Sequence, residues 1–181
     1  LRVNALEGYD DDPKALLLEI QKVIEHEPTA SHVYAFAELA FIEAEKVKKN
    51  QPKLALDLYG ASAFHAYQYL FDKRFLVKRN PYDPQFRGAC DLYNGALEGA
   101  LRVICADQGL KPGKTYTIDT ASGSWHLQCV LRGSRWTADD FDRFEFVSDY
   151  EIKGLKNHYQ NYGLGVPLIA VRQRHANEPP A

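Results

Sequence analysis

One helix-start signal is written three times in the first half of this chain: a residue able to cap, followed by proline at what would be the first helical position. It stands at Asp12-Pro13 and Asp83-Pro84, and in a looser form at Asn50-Gln51-Pro52. An aspartate accepts from the orphan N–H groups of a first turn. Proline has no N–H to leave unsatisfied there, and its φ is already helical. These signals divide the first 108 residues into helices. The first is expected from about Pro13 to His26, with Leu16, Ile20, Val23 and Ile24 inward. Pro28 closes it, because the residue before a proline is pushed out of the helical region. Thr29 or Ser31 caps the second, whose apolar set Val33, Phe36, Ala37, Ala40, Phe41, Ala44 and Val47 follows the spacing of one buried helix face.

The third helix, about Pro52 to Phe71, is apolar nearly all round, the pattern of an element packed between neighbours and the most buried of the four. The fourth runs from about Pro84 to Asp107, with Phe86, Cys90, Tyr93, Leu97, Leu101 and Ile104 as its stripe and Gly109 as terminator. Gly95 and Gly99 on it permit close approach of another element. Helices two and three form an αα-hairpin loosely spaced like a tetratricopeptide repeat (TPR). Ala55, Tyr59 and Ser62 fall where such a repeat wants small, aromatic and small residues, and no second copy follows.

After Pro112-Gly113 the period changes to that of strands. Thr115–Ile118 and Trp125–Leu131 alternate around a turn at Ala121–Ser124, and Phe144–Val147 and Val166–Val171 are two further strands. The expected class is therefore α+β, mainly α: a four-helix TPR-like bundle over about residues 12–108, then a small antiparallel β segment over about 114–172. As domains, residues 1–110 form the bundle and 111–181 a tail packed on it, one structural unit.

The chain has 181 residues, enough to bury a core without a disulfide or metal staple. Its net charge of −2 argues against nucleic acid, which selects a basic face, and gives no electrostatic reason to sit on an anionic membrane. No run of apolar residues is long enough to span a bilayer. Cys90 and Cys105 lie on one helix, about 22 Å apart at 1.5 Å per residue, too far to bridge. With Cys129 they read as small buried thiols. Leu1 and the closing Glu178–Ala181 read as cut ends of a longer protein.

No complete catalytic, metal, nucleotide or cofactor motif is present. Gly113-Lys114-Thr115 resembles the end of a phosphate loop, but the required earlier glycine is Gln108 and the strand–helix order is reversed. Gly60-Ala61-Ser62 begins a hydrolase elbow that Phe64 ends, and it sits mid-helix, where the hydroxyl can bond a carbonyl one turn back. Ser122 lies in a turn. The six histidines show no metal-pair spacing; His65 reads as a core histidine bonded to Tyr93 or Asp91. Asp139, Asp140 and Asp142 lack the glycine and distal glutamate of a calcium loop, and Thr137–Asp140 reads as a cap on one helical turn. The aromatics Tyr59, Phe64, Tyr67, Tyr69 and Phe71 suit either an apolar pocket for an acyl chain or peptide, or a core; helical spacing favours the core.

The stretch from Ser148 to Ala170 mixes polar and aromatic groups in the proportion of contact surfaces. Asp149, Tyr150, Asn157, His158, Tyr159 and Tyr162 are its contact candidates. The competing role for Tyr150 is closing the base of the bundle.

Three stretches together carry a family resemblance. They are Phe64–Phe71 with Asp83–Arg87 and Asp91–Asn94, then Ser148–Leu155, then Tyr162–Ala170. They resemble the N-terminal region of large bacterial α/β-hydrolase-like proteins, of esterase or lipase type and often predicted lipoproteins, from about residue 34 onward. The resemblance implies a helical module preceding a hydrolase domain, with the catalytic serine elbow downstream of Ala181 and no catalytic residue here. It also implies a place in the bacterial cell envelope or outside the cell. The expected role is thus a non-catalytic accessory module, its partner the downstream domain or another protein. The alternatives are a free-standing TPR-like peptide- or protein-interaction module and, more remotely, a small-molecule enzyme using His158, Asp149 and Tyr150.

Overall fold

The computed structural model describes residues 12–78, 82–150 and 163–172, excepting the side chains of 76–78, 107 and 108. Four helices come first: α1 Pro13–His26, α2 Ala30–Val47, α3 Pro52–Phe71 and α4 Pro84–Gln108. A 3-10 segment, Lys73–Lys78, lies between α3 and α4. The strands follow as β1 Thr115–Asp119, β2 Ser124–Gln128, β3 Phe141–Phe146 and β4 Leu168–Arg172. The chain is α+β and mainly α, with a helical bundle followed by small antiparallel sheets.

The helix starts form as their chemistry requires, with one exception. Asp12 Oδ1 accepts from Lys14 N and Ala15 N at 3.1 Å each, and Asp83 accepts from Gln85 N at 2.9 Å. Thr29, rather than Ser31, caps α2 through His32 N. At α3 the Gln51 side chain makes no cap bond, so only Pro52 marks that start. Gly109 ends α4 at φ 62°, a conformation that favours glycine.

α3 lies between α2 and α4 and carries the most buried residues, eight against six on α2 and two on α1. One core cluster joins α1, α2 and α3 around Phe36, Tyr69 and Leu70. A second joins α2, α3 and α4 around Leu56, Tyr59 and Ala96. On α1 the buried pair is Leu17 and Ile24, whereas Val23, expected inward, is 38% exposed. α1 rests on one neighbour, so its seam is narrow and Val23 falls at its edge.

α4 differs from its expected stripe in a similar way. Its most enclosed residues are Ala89, Ala96, Ala100 and Ile104, while Phe86, Cys90, Tyr93, Leu97 and Leu101 are half-buried. Small residues sit innermost because rings from the other helices fill the space. A Cβ on Gly99 would lie 2.5 Å from the Tyr59 ring, and one on Gly95 would lie 3.2 Å from Phe41. Ser62, fully buried, donates to Ala37 O across the helix pair at 2.8 Å, rather than to a carbonyl of its own helix. Ala55 and Tyr59 are equally enclosed.

The strands form two separate two-stranded sheets, β1–β2 and β3–β4, both antiparallel. In the first, Tyr116 pairs with Leu127 and Ile118 with Trp125. Two-stranded hairpins are marginal alone, and this one is held on α3. Ser122 donates to Asp57 from both its N–H (2.8 Å) and its hydroxyl (3.0 Å), and Ala121 N donates to Lys53 O. Trp125 lies against Gly60, where any Cβ would come within 2.5 Å of its indole. β2 stops at Gln128, short of the expected Leu131. Cys129 still bonds Gly113 and Lys114 through its backbone, but Val130 is exposed. β3 begins at Phe141, three residues before the expected Phe144, with an irregularity between Phe141 and Arg143. The polar residues Asp142 and Arg143 hid that start.

Candidate functional site

Of the six expected contact residues, Asn157, His158, Tyr159 and Tyr162 lie outside the described residues. Asp149 and Tyr150 are placed, and both are engaged within the chain. Asp149 receives two bonds from Arg102, at 2.6 and 3.3 Å. The same guanidinium bonds Glu98 at 2.9 Å and Ser148 at 2.9 Å, and lies 4.2 Å from the centre of the Phe146 ring. Ser148 in turn donates to Glu98 at 2.6 Å. Asp149 therefore joins the end of β3 to α4 through a planar, multidentate donor. These contacts raise the Arg102 pKa, the Asp149 bond foremost and the Glu98 bond and both carboxylate charges after it, against the opposing effect of burial. Tyr150 is 51% exposed and does not close the bundle's base; its hydroxyl donates to Glu145.

A second tie reaches α4 about two turns earlier. Asn94 donates to Gly163 O at 3.0 Å and accepts from Gly165 N at 2.7 Å. Gly165 has φ 123°, which explains its glycine. One amide thus fixes the chain where it enters β4.

Several groups with the chemistry of a site have structural partners, whereas the buried His32 Nδ1 has none among the described residues. Lys114 enters β1, and Gly113 (φ 78°) turns the chain there. His65 Nδ1 bonds Ala61 O at 2.8 Å, not Tyr93 or Asp91, and its ring packs 4.3 Å from Phe36. Burial pushes the His65 pKa down, against the raising effect of that carbonyl. Burial raises the thiols of Cys90, Cys105 and Cys129, so each is protonated at neutral pH. Thr137 and Asp140 form the expected capping box, with Thr137 N donating to Asp140 Oδ2 at 2.7 Å. Among the described residues, no group of three His, Cys, Asp or Glu side chains could hold a metal ion. No described helix is long and apolar enough to cross a membrane.

Two surface features remain. The first is a row of rings on α3. Tyr59 and Tyr69 are core, as expected, but Phe64, Tyr67 and Phe71 are 63%, 51% and 46% exposed. They sit at i, i+3 and i+7 of one helix face. Tyr67 and Phe71 are 4.6 Å apart, and Tyr67 is 6.1 Å from Tyr93. The spacing was visible in the sequence; which face lacked a neighbour was not.

The second is a cleft of about 800 Å³ between the α2–α3 junction, α4 and β1. At one side Tyr59 donates to Glu45 at 2.5 Å, and Lys48 bonds the same carboxylate at 2.6 Å. Burial pushes the Glu45 carboxyl up, and the two bonds with the Lys48 charge outweigh it, leaving it below its ordinary range. Burial and the Glu45 bond raise the Tyr59 phenol well above its ordinary range, so it remains a donor. The sequence did not announce this cleft because its walls come from three distant segments. No family model, curated protein or solved structure matches the chain.

Proposed function

We propose that this chain is a non-catalytic accessory module that docks on a neighbouring protein domain through the ring row Phe64, Tyr67 and Phe71. The supporting observation is that the most buried helix of the bundle leaves three large rings in solvent along one face. Aromatic rings are the enriched residues of contact surfaces, each offering on the order of 150–250 Å². Covering the exposed parts of all three removes roughly 300 Å² of apolar surface, a gross gain of about 8 kcal/mol at about 25 cal/mol per Å² before ordering costs. The partner we infer is a hydrolase-like domain of the same polypeptide, on the strength of the resemblance carried by Phe64–Phe71, Ser148–Leu155 and Tyr162–Ala170.

The test begins with the gene sequence beyond the Ala181 codon. A Gly-x-Ser-x-Gly in a βα context supports the partner, and a stop codon overturns it in favour of a free-standing interaction module. In the intact protein, Phe64→Glu with Tyr67→Glu should leave the bundle's unfolding within about 0.5 kcal/mol, as exposed substitutions do, and detach it from the second domain in limited proteolysis. Unchanged protection would sink the docking role of the row. The isolated chain should hydrolyse no short acyl ester above buffer. Activity abolished by Ser62→Ala or Ser122→Ala would contradict the non-catalytic reading.

A further inference from the structure

The cleft between the α2–α3 junction, α4 and β1 has a chemistry separate from the ring row. Its volume, about 800 Å³, falls within the range of small-molecule sites, roughly 300–1,000 Å³. Its apolar lining comes from Leu56 of α3, Val103 and Ile104 of α4 and Ile118 of β1. Leu56 and Ile104 are buried against the protein, while Val103 and Ile118 are half-buried. Gly95 and Gly99 contribute no side chain, so the α4 wall is flat where it meets the Tyr59 ring.

The charges around this lining are unequal in their freedom. Glu45 is held by Lys48 and Tyr59, and Glu98 by Arg102, which is itself taken up by Asp149 and Ser148. Asp119 meets only the loose end of Lys53, at 3.7 Å, with both side chains well exposed. Lys49 enters no ion pair among the described residues. Among the described residues each cleft carboxylate has a cation, Asp119 through the loose Lys53 pair alone, and the ammonium groups able to take a further anion are Lys49 and, by sharing with Asp119, Lys53. An apolar lining with two exposed ammonium groups among its residues matches a molecule with one apolar chain and one anionic head.

We infer that the cleft is a binding site for a single-chain anionic amphiphile, its chain lying along Val103 and Ile118 over the buried Leu56 and Ile104, and its head group between Lys49 and Lys53. The probes are decanoate, decanol and decyltrimethylammonium, each titrated calorimetrically into the 181-residue chain below its micelle concentration. Decanoate should bind at one saturable site, at least about tenfold more tightly than decanol, and decyltrimethylammonium more weakly than either. Lys49→Glu with Lys53→Glu should weaken decanoate about tenfold and leave decanol unchanged, because only the head group meets those side chains. Val103→Trp, which fills the cleft, should abolish decanoate binding. Should that variant misfold, amide shifts in the parent protein decide the location: decanoate should move Val103 and Tyr116–Asp119. Absent saturation, equal affinity for decanoate and decanol, indifference to the lysine reversal, or shifts elsewhere would each overturn the site.

Discussion

Gly99→Ala tests how tightly the bundle is closed. A Cβ there would lie 2.5 Å from Cε1 and Cζ of Tyr59 and 2.8 Å from Cε2, whereas carbon contacts settle at about 3.5–4.0 Å. The ring must therefore retreat by about 1 Å. It has little room: Tyr59 is 1% exposed, and its hydroxyl is fastened to Glu45. Overpacking of this kind costs about 1–3 kcal/mol, and the helix gains back about 1 kcal/mol because alanine is the better helix former. The net expectation is a loss of up to about 2 kcal/mol, a fall in Tm of up to roughly 8 °C for a chain of this size. Urea unfolding followed by circular dichroism should show a lower midpoint with unchanged slope. Gly88→Ala is the comparison, since its Cβ meets chiefly the Tyr34 hydroxyl, the far end of a half-buried side chain rather than the face of a fully enclosed ring. That variant should be the less destabilised of the two. A Gly99→Ala protein as stable as Gly88→Ala would refute the claim that the α3–α4 approach depends on a bare backbone at residue 99.

Two further outcomes follow from the polar ties. Tyr59→Phe should cost about 1 kcal/mol at neutral pH and alter the acid limb of stability. The Glu45 carboxyl is held below its ordinary 4.5, so its contribution is complete above that pH and is lost as pH falls below it. The stability gap between parent and variant should accordingly be constant above about pH 5 and close on further acidification; a gap indifferent to acid would contradict the Glu45 assignment. Asp149→Asn should cost about 1 kcal/mol, a modest figure because the pair with Arg102 is half-exposed, and added salt should shrink that cost. If Asp149→Asn leaves both stability and its salt response unaltered, the pair does not anchor β3 to α4.

The helices were legible because each carries its own punctuation and period within a short window. Asp12, Asp83 and the prolines mark starts by local chemistry, and the apolar set of α2 is a single-face pattern that needs no knowledge of its neighbours. What was not legible depended on partners. Val23 has the right residue type and the wrong side of a narrow seam. Ser62 bonds Ala37 on another helix instead of its own, and Asp149 meets Arg102 across 47 positions. Phe141–Arg143 was hidden because a strand open to solvent carries polar residues that read equally well as a turn. The rings of α3 had helical spacing whether buried or exposed, and only the packing separates Tyr69 from Phe64.

The hairpin that walls one side of the cleft has a dynamic consequence. It is tied to the bundle at Trp125 on Gly60, Ser122 on Asp57 and Ala121 on Lys53, with Ile118 and Leu127 at the edge of the core. These are fewer ties than hold the helices to one another, so it should open at lower free energy than the bundle. Amide protons of Tyr116 and Ile118 should then exchange faster than those of Leu56 and Ser62, which lie in the bundle's core. Any molecule held in the cleft should then have a residence time set by how often that wall opens.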